Sequence, residues 1–154
     1  QEGAGVGAVH ALETESDWVL PQYREPLGLR KYGPEVLDTF MLYNLGHPAG
    51  GHIPDPIKVT PSQISLGASI PHAVGLAWGM RLKDEDGVVL VFFGDGATEE
   101  GVFYESLNFA SIHKLNIIFA VFISFLCFAT HLTSNIQLDC YKFAILFSLF
   151  FILN

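Results

Sequence analysis

Apolar residues recur at helical spacing in three segments of the chain. One covers residues 1–12, and another begins at Pro34, a residue favoured in the first turn of a helix, and stops at Gly46. The third, residues 67–82, has glycines at four-residue multiples, which predicts a buried helix packed closely against neighbouring backbone. The apolar positions that define these helices are Val6, Val9, Leu12, Val36, Leu37, Phe40, Met41, Leu45, Ala73, Val74, Ala77 and Trp78.

A different pattern begins at Val88, where every residue up to Phe93 is β-branched, aliphatic or aromatic. Such a run is typical of a parallel strand that is covered on both faces. A Gly-Asp-Gly turn follows, then a predicted helix over residues 99–113 and a predicted strand over residues 117–121. Strand, turn, helix and strand form a βαβ unit, so the sequence predicts an α/β fold with a partial doubly wound parallel sheet.

The stretches between these elements are rich in proline and glycine. Residues 20–33 carry two of each, and we expect an irregular segment that reaches toward a ligand site. Residues 46–61 hold four prolines and three glycines, too many for a helix or a central strand, which predicts a long loop. His47 and His52 bracket this loop. His52 is a candidate catalytic residue, and the simpler alternative is a loop histidine without a catalytic role.

The charge balance excludes some classes of partner. The 154 residues include 16 acidic and 8 basic residues, the formal net charge is -8, and the basic residues are scattered. We expect no nucleic-acid or anionic-membrane partner, because neutralising phosphates requires clustered Lys and Arg. The two cysteines are too few for a disulfide framework and lack partners at zinc spacing, which favours a reducing compartment.

Apolar residues are concentrated at the carboxyl end of the chain. Eight of the 13 phenylalanines lie from Phe119 onward, and residues 115–154 contain only two charged residues. We therefore divide the chain into a folded unit, residues 1–121, and an apolar tail, residues 122–154. The tail could be a membrane segment, a strand-rich core extension or translated non-coding sequence. Its apolar runs are shorter than the roughly 18 to 20 residues that span a membrane and lack periodicity, which favours the third interpretation.

The Gly-Asp-Gly turn carries the clearest chemistry. In doubly wound folds, ligands bind beyond the carboxyl ends of the strands. Gly94 and Gly96 let backbone N–H groups approach a phosphate, and the start of the following helix favours an anion. A carboxylate beside an anion site suits a divalent cation that bridges the two. The residues thus predict a diphosphate bound with Mg²⁺ through Asp95, and the alternative is a plain strand-to-helix turn.

Four motifs, in this order, resemble the alpha subunit of thiamine-diphosphate-dependent 2-oxo acid dehydrogenases, the family of pyruvate, branched-chain and acetoin dehydrogenases. They are QEGAGVGA, YRE, IPHAVGLAWGM and VFFGDGATEEGVFYESLNFASIHKLNIIFAV, and together they run from Gln1 to about Val121. The resemblance implies the thiamine-diphosphate-binding fold, thiamine diphosphate and Mg²⁺ as cofactors, oxidative decarboxylation of a 2-oxo acid and acyl transfer to a lipoyl group. It also implies two partners: a beta subunit that supplies the activating glutamate, and a lipoyl-bearing acyltransferase.

The resemblance also assigns roles to individual residues. Asp95 matches the family's Mg²⁺ ligand. Arg24 matches part of a Tyr-Arg pair at the cofactor, and the alternative is a solvated loop cation. Leu66 matches an apolar residue that packs near the cofactor, and the alternative is a core leucine. The full set of matching cofactor-binding positions is Tyr23, Arg24, Leu66, Gly94, Asp95, Gly96 and Ala97.

The chain departs from the family at three positions. The family has an Asn-Asn pair after the next strand, whose second member binds Mg²⁺, and the family spacing places this pair at Ile123 and Ser124. Isoleucine has no donor oxygen and a serine hydroxyl is a weaker ligand, so we expect weak or absent cofactor binding. Pro26 stands where pyruvate-type members often have histidine. The substrate therefore stays open among pyruvate, branched-chain 2-oxo acids and acetoin.

The leading hypothesis is a truncated alpha subunit that is catalytically silent alone. We expect it in the cytoplasm or the mitochondrial matrix, undecided because the chain begins at Gln1 without a visible leader. Two alternatives stay open. One is an unrelated Mg²⁺-dependent nucleotide or phosphate binder that uses the same βαβ turn. The other is a non-catalytic truncated or membrane-associated product.

Overall fold

The computed structural model describes residues 2–122 and the backbone of residues 150–152. Its α-helices are α1 (Glu2–His10), α2 (Pro26–Leu29), α3 (Pro34–Asn44), α4 (Ser69–Leu82) and α5 (Gly101–Ile112). Its strands are β1 (Trp18–Leu20), β2 (Val89–Gly94), β3 (Ile117–Phe122) and β4 (Phe150–Ile152). Short 3₁₀ turns cover Arg30–Tyr32, Pro48–Gly51 and Asp95–Glu99. The predictions for Ile123 and Ser124, and most of the predicted tail, lie outside the described residues.

The strands form one sheet in the order β1-β2-β3-β4. β1, β2 and β3 run parallel, and β4 pairs with β3 in the antiparallel direction. β2 is central, since Val89 lies opposite Trp18 on one side and Ile117 on the other. The predicted βαβ unit is confirmed as β2, α5 and β3.

Side chains of the sheet alternate between two apolar layers. Along β2, Val89, Val91 and Phe93 face the layer formed with α4 and α5, whereas Leu90 and Phe92 face the layer formed with α1, α2 and α3. Because helices cover both faces, β2 is buried from Val89 to Phe93, as its unbroken apolar run predicts. The predicted α/β class with a doubly wound parallel sheet is confirmed.

The predicted close packing of α4 through its glycines is wrong. Among the described residues, a Cβ atom placed at Gly75 or Gly79 would meet no atom within 4 Å outside its chain neighbours and the backbone of its own helix. Ala73 and Ala77 are buried as predicted, but they lie on the helix face toward the sheet, while the two glycines lie away from it. Trp78 is 39% exposed.

The segment after β1 is more regular than its prolines and glycines predict. Pro26 starts α2 as its first residue, a position that needs no backbone N–H donor. A Cβ atom at Gly28 would lie 3.2 Å from Val9 Cγ2 and 3.3 Å from the carbonyl oxygen of Gly5. Gly28 therefore lets α2 approach α1 closely, so this glycine supports a helix contact rather than an irregular loop.

An extended segment, residues 58–63, runs parallel to β1 along its outer side. The N–H of Val19 donates to the carbonyl of Lys58 at 3.0 Å, and the N–H of Thr60 donates to the carbonyl of Val19 at 3.0 Å. Farther along, the N–H of Gln63 donates to the carbonyl of Pro21 at 3.3 Å. The predicted long loop therefore ends in a strand-like segment with the direction of the parallel strands. No helix in the described part of the chain combines the length and apolar character needed to cross a membrane.

Candidate functional site

Three turns or loops lie at the same side of the sheet, because each follows the carboxyl end of a parallel strand or strand-like segment. They are the turn after β1 (residues 21–25), the loop after the extended segment (residues 64–68) and the turn after β2 (residues 94–100). We call this side the carboxyl edge. It brings the predicted cofactor-binding residues onto one side of the molecule.

The turn after β2 is a 3₁₀ turn from Asp95 to Glu99. The hydroxyl of Thr98 donates to the backbone carbonyl of Asp95 at 2.6 Å and tightens the turn. Ala97 is fully buried, which anchors the turn in the core, whereas Asp95 is only partly buried. The first N–H groups of such a turn have no partner within it. The turn can therefore offer backbone donors to an anion next to a carboxylate.

The donor chemistry of this turn fits Mg²⁺ bound together with a phosphate. Mg²⁺ takes one or two carboxylates, and phosphate oxygens and water complete its shell. No group of three or more His, Cys, Asp or Glu side chains that could hold a metal occurs among the described residues. A cation held by Asp95 would therefore draw its remaining ligands from a bound phosphate, from water or from residues outside the described part.

The loop after the extended segment packs against the start of α5. Gly67 has φ of +72°, and a Cβ atom there would lie 3.1 Å from Val102 Cγ1 and 3.4 Å from Glu100 Cβ. Glycine thus permits both the left-handed backbone and the close approach. Leu66, the preceding residue, is 60% exposed, so the alternative that it is a core leucine is wrong. Its cofactor contact stays a prediction.

Tyr23 and Arg24 project from the turn after β1. Tyr23 is 41% exposed, and the guanidinium carbon of Arg24 lies 4.9 Å from the centre of its ring. Nη2 of Arg24 donates to the Tyr23 hydroxyl at 3.4 Å. Stacking on the ring orients the guanidinium without occupying all of its five donors, which leaves donors for an anionic ligand.

Glu25 is the residue at this edge that sequence analysis missed. Its side chain is buried, with 2% of the residue exposed, and Oε2 accepts hydrogen bonds from the N–H groups of Gln22 at 3.0 Å and Arg24 at 3.2 Å. Oε1 is buried without a hydrogen-bond partner among the described residues. Burial raises the pKa of the Glu25 carboxyl, and the backbone N–H bonds and the Arg24 charge oppose that rise. One signal in the sequence points to this role. Side chains in turns often accept hydrogen bonds from backbone N–H groups up to three residues away, and Glu25 lies three residues after Gln22.

The two loop histidines have different surroundings. Nδ1 of His47 accepts a hydrogen bond from the N–H of Ala49 at 3.2 Å and caps the turn Pro48–Gly51. His52 is exposed at the other end of that turn, and its side chain makes no hydrogen bond or ring contact within residues 2–122. The simpler interpretation fits His47. A catalytic role for His52 stays a prediction, and no described contact joins the His52 side chain to the carboxyl edge.

Together these features define an α/β protein whose candidate ligand site lies at the carboxyl ends of parallel strands. Residues 1–124 match the family model of the dehydrogenase E1 component. The chain belongs to this family, as an E1 alpha-like component of the 2-oxo acid dehydrogenases. The match confirms the resemblance carried by the four sequence motifs.

Characterised relatives are alpha subunits. The chain is 37% identical over 121 residues to the pyruvate dehydrogenase E1 component subunit alpha of Mycoplasma genitalium, with 79% of this chain and 32% of the relative covered. It is 37% identical over 128 residues to the 2-oxoisovalerate dehydrogenase subunit alpha of Bacillus subtilis, with 77% and 39% covered. The chain thus spans about a third of the length of the curated relatives it matches.

A solved structure from Mycobacterium smegmatis, described as a thiamin diphosphate-dependent enzyme, is also similar. Its TM-score is 0.49 and its sequence identity 24%, with 80% of this chain and 20% of that chain covered.

Proposed function

We propose that this chain forms the part of a 2-oxo acid dehydrogenase alpha subunit that binds the diphosphate of thiamine diphosphate together with Mg²⁺. The observation that carries the proposal is the convergence of three matched segments on the carboxyl edge. Tyr23 and Arg24 follow β1, Leu66 follows the parallel extended segment, and Asp95 follows β2. Family membership supplies the chemical identity of the ligand.

Each residue at the carboxyl edge has a proposed task. Asp95 would hold Mg²⁺, and the backbone at Gly96 and Ala97 would donate N–H groups to the diphosphate, since both lie in the first part of the 3₁₀ turn. The Arg24 guanidinium would donate to phosphate oxygens, while the Tyr23 ring keeps it oriented. The exposed Leu66 side chain would cover the cofactor and exclude water.

Bound thiamine diphosphate supplies the nucleophilic carbon for decarboxylation of a 2-oxo acid. The chain's own residues bind and orient. We propose that a beta subunit completes the site and that a lipoyl-bearing acyltransferase accepts the acyl group. The names of the relatives favour pyruvate or a branched-chain 2-oxo acid as substrate.

Isothermal titration with Mg²⁺ and thiamine diphosphate tests this proposal. We expect weak binding to the chain as it stands, because Ile123 and Ser124 lack the amide oxygens that the family uses. The double-asparagine variant, which combines Ile123→Asn with Ser124→Asn, should bind at least about tenfold more tightly once a beta subunit is added. Tight binding by the unaltered chain would show that these two positions do not limit the site.

A thermal-shift panel separates this proposal from a nucleotide-binding function. Thiamine diphosphate with Mg²⁺ should raise the melting temperature of the double-asparagine variant more than ADP or inorganic diphosphate at equal concentration. A ligand that binds only the folded state raises the melting temperature more the tighter it binds. Preference for ADP would refute the proposal.

A further inference from the structure

Glu25 is a buried carboxylate in a turn whose two preceding residues are exposed. Only 2% of Glu25 is accessible, whereas 41% of Tyr23 is accessible and Arg24 is exposed. An acidic side chain is rarely buried to this extent unless hydrogen bonds compensate for the lost hydration. The position of Glu25 therefore calls for a specific explanation.

The hydrogen bonds of Glu25 fix the backbone on both sides of Tyr23. Oε2 accepts from the N–H of Gln22 at 3.0 Å and from the N–H of Arg24 at 3.2 Å. Gln22 is itself buried, so leaving its N–H group without this acceptor would destabilise the folded state. One carboxylate oxygen thus determines the backbone course from which the phenol and the guanidinium project.

Packing ties the same carboxylate to the rest of the fold. A Cβ atom at Gly5 of α1 would lie 3.5 Å from Glu25 Cγ and 3.6 Å from Phe122 Cζ at the end of β3. The carbonyl of Glu25 also accepts the N–H of Leu29 in α2 at 3.1 Å. Glu25 therefore connects the turn after β1 with α1 and α2, which helps to set the turn's orientation relative to the sheet.

We propose that Glu25 is a positioning residue for the Tyr23–Arg24 pair: its buried carboxylate holds the turn so that both side chains project from the carboxyl edge toward the ligand. The identity of that ligand rests on the proposed function. The order of the turn does not, so the two can be tested separately.

Limited trypsin digestion of the full chain measures the order of the turn directly, because trypsin cleaves after Arg24. Glu25→Met keeps the side-chain volume but removes the acceptor, and cleavage after Arg24 should become about tenfold faster. Glu25→Gln is the matched control: it keeps an acceptor oxygen and also places an uncharged residue after Arg24. It should cleave like the wild type, with cleavage after Arg81 as the internal reference.

One outcome of the digestion would overturn the proposal. If Glu25→Met is cleaved no faster than Glu25→Gln, the acceptor oxygen has no effect on the order of the turn, whether or not both variants are cleaved faster than wild type. If Glu25→Met does not fold by circular dichroism, Glu25→Ala takes its place against the same glutamine control.

Titration with thiamine diphosphate and Mg²⁺ measures the binding affinity, which would not change if Glu25 had a purely structural role. In the double-asparagine variant with a beta subunit, Glu25→Met should weaken binding about tenfold and Glu25→Gln should restore it. In a Tyr23→Phe/Arg24→Ala background, Glu25→Met should cost nothing further, because it acts through those two side chains. An equal additional loss in that background would overturn the proposal.

The two failures are distinguishable. If no variant binds thiamine diphosphate but Glu25→Met alone loosens the turn, the proposed function fails and the positioning role stands. If the cofactor binds normally and Glu25→Met changes neither cleavage nor affinity, the positioning role fails and the proposed function stands.

Discussion

The two ends of the parallel strands differ in how their buried carboxylates are hydrogen-bonded. At the amino ends, Asp17 accepts hydrogen bonds from the N–H of Glu13 at 2.8 Å, the N–H of Val88 at 2.9 Å and the hydroxyl of Ser16 at 3.0 Å. At the carboxyl edge, Glu25 has two donors on one oxygen and none on the other among the described residues. The Asp17 carboxylate is thus hydrogen-bonded on both oxygens, whereas the Glu25 carboxylate is hydrogen-bonded on one.

Tyr32 reinforces the amino end. Its hydroxyl donates to the carbonyl of Asp17 at 3.0 Å. Burial raises the pKa of the Tyr32 hydroxyl, and the Asp17 charge raises it further, so the group stays a donor over the whole working pH range. The comparison predicts that substitutions at the amino end change stability and that substitutions at the carboxyl edge change binding.

Among the polar substitutions at the two ends of the strands, Asp17→Ala should have the largest effect on stability. It removes a buried carboxylate and leaves the N–H groups of Val88 and Glu13, which make part-buried hydrogen bonds, without their acceptor, and we expect a loss of about 2 to 4 kcal/mol in the free energy of unfolding. Urea denaturation measures the loss. Asp38→Ala, which removes an exposed carboxylate from α3, is the matched control and should change stability by less than about 0.5 kcal/mol. Equal losses for the two variants would refute the stabilising role of the amino end.

Asp95→Asn should weaken binding and leave stability almost unchanged. Asp95 is partly exposed, and its carboxylate makes no hydrogen bond within residues 2–122, so we expect a stability change within about 0.5 kcal/mol. Mg²⁺-dependent binding of thiamine diphosphate by the double-asparagine variant should fall about tenfold or more, because an amide is a poorer Mg²⁺ ligand than a carboxylate. Glu105→Gln, on the exposed face of α5, should leave both quantities unchanged. A large stability loss with unaltered affinity would show that Asp95 stabilises the fold and does not bind Mg²⁺.

Glu25→Gln should change the pH dependence of stability. A carboxyl pKa raised by folding means that the native state binds more protons than the unfolded state between the ordinary value of 4.5 and the raised value. Wild-type stability therefore falls as pH rises through that window, and the glutamine variant lacks this contribution. Urea unfolding from pH 4 to 7 should show the variant gaining stability relative to wild type as pH increases. Parallel curves would show that Glu25 does not titrate differently in the folded chain.

Leu66→Ala should have only a small effect on stability. Because Leu66 is 60% exposed, its truncation should cost less than about 1 kcal/mol, whereas Leu20→Ala in the core should cost about 2 to 5 kcal/mol. Thermal unfolding of the two variants side by side measures the difference. Similar costs would mean that Leu66 belongs to the core after all.

Local patterns predict the central part of the fold. The apolar run of β2 is continuous and the apolar positions of α3 recur at helical spacing, so each predicts its element directly. Of the predicted α3 stripe, Val36 and Phe40 are buried, whereas Met41 and Leu45 are exposed. β1 was not predicted, since Trp18–Leu20 is only three residues long and its pairing with Val89 depends on a distant segment. The extended segment was not predicted, because Pro61 lies within it and its pairing with Val19 and Pro21 depends on a distant part of the chain.

The candidate site was predictable only in part. Asp95 and its glycines stand out because a strand, a turn and a helix follow one another in the sequence. Glu25 does not, because a charged residue between Arg24 and Pro26 has the composition of an exposed loop, and only the fold shows that α1 covers it. Burial of a polar side chain is a tertiary property that local pattern does not encode.

The pairing of β1 with β2 also determines the order in which the molecule can assemble. Asp17 and Val88, which join the starts of these strands, are 71 residues apart, whereas β2, α5 and β3 follow one another directly. Closing a long loop costs entropy before its contacts are gained, so contacts of this separation slow folding. We infer that β2, α5 and β3 form early and that β1 joins them late. Tyr23 and Arg24 would then reach the same side of the sheet as Asp95 only in the last stage of folding.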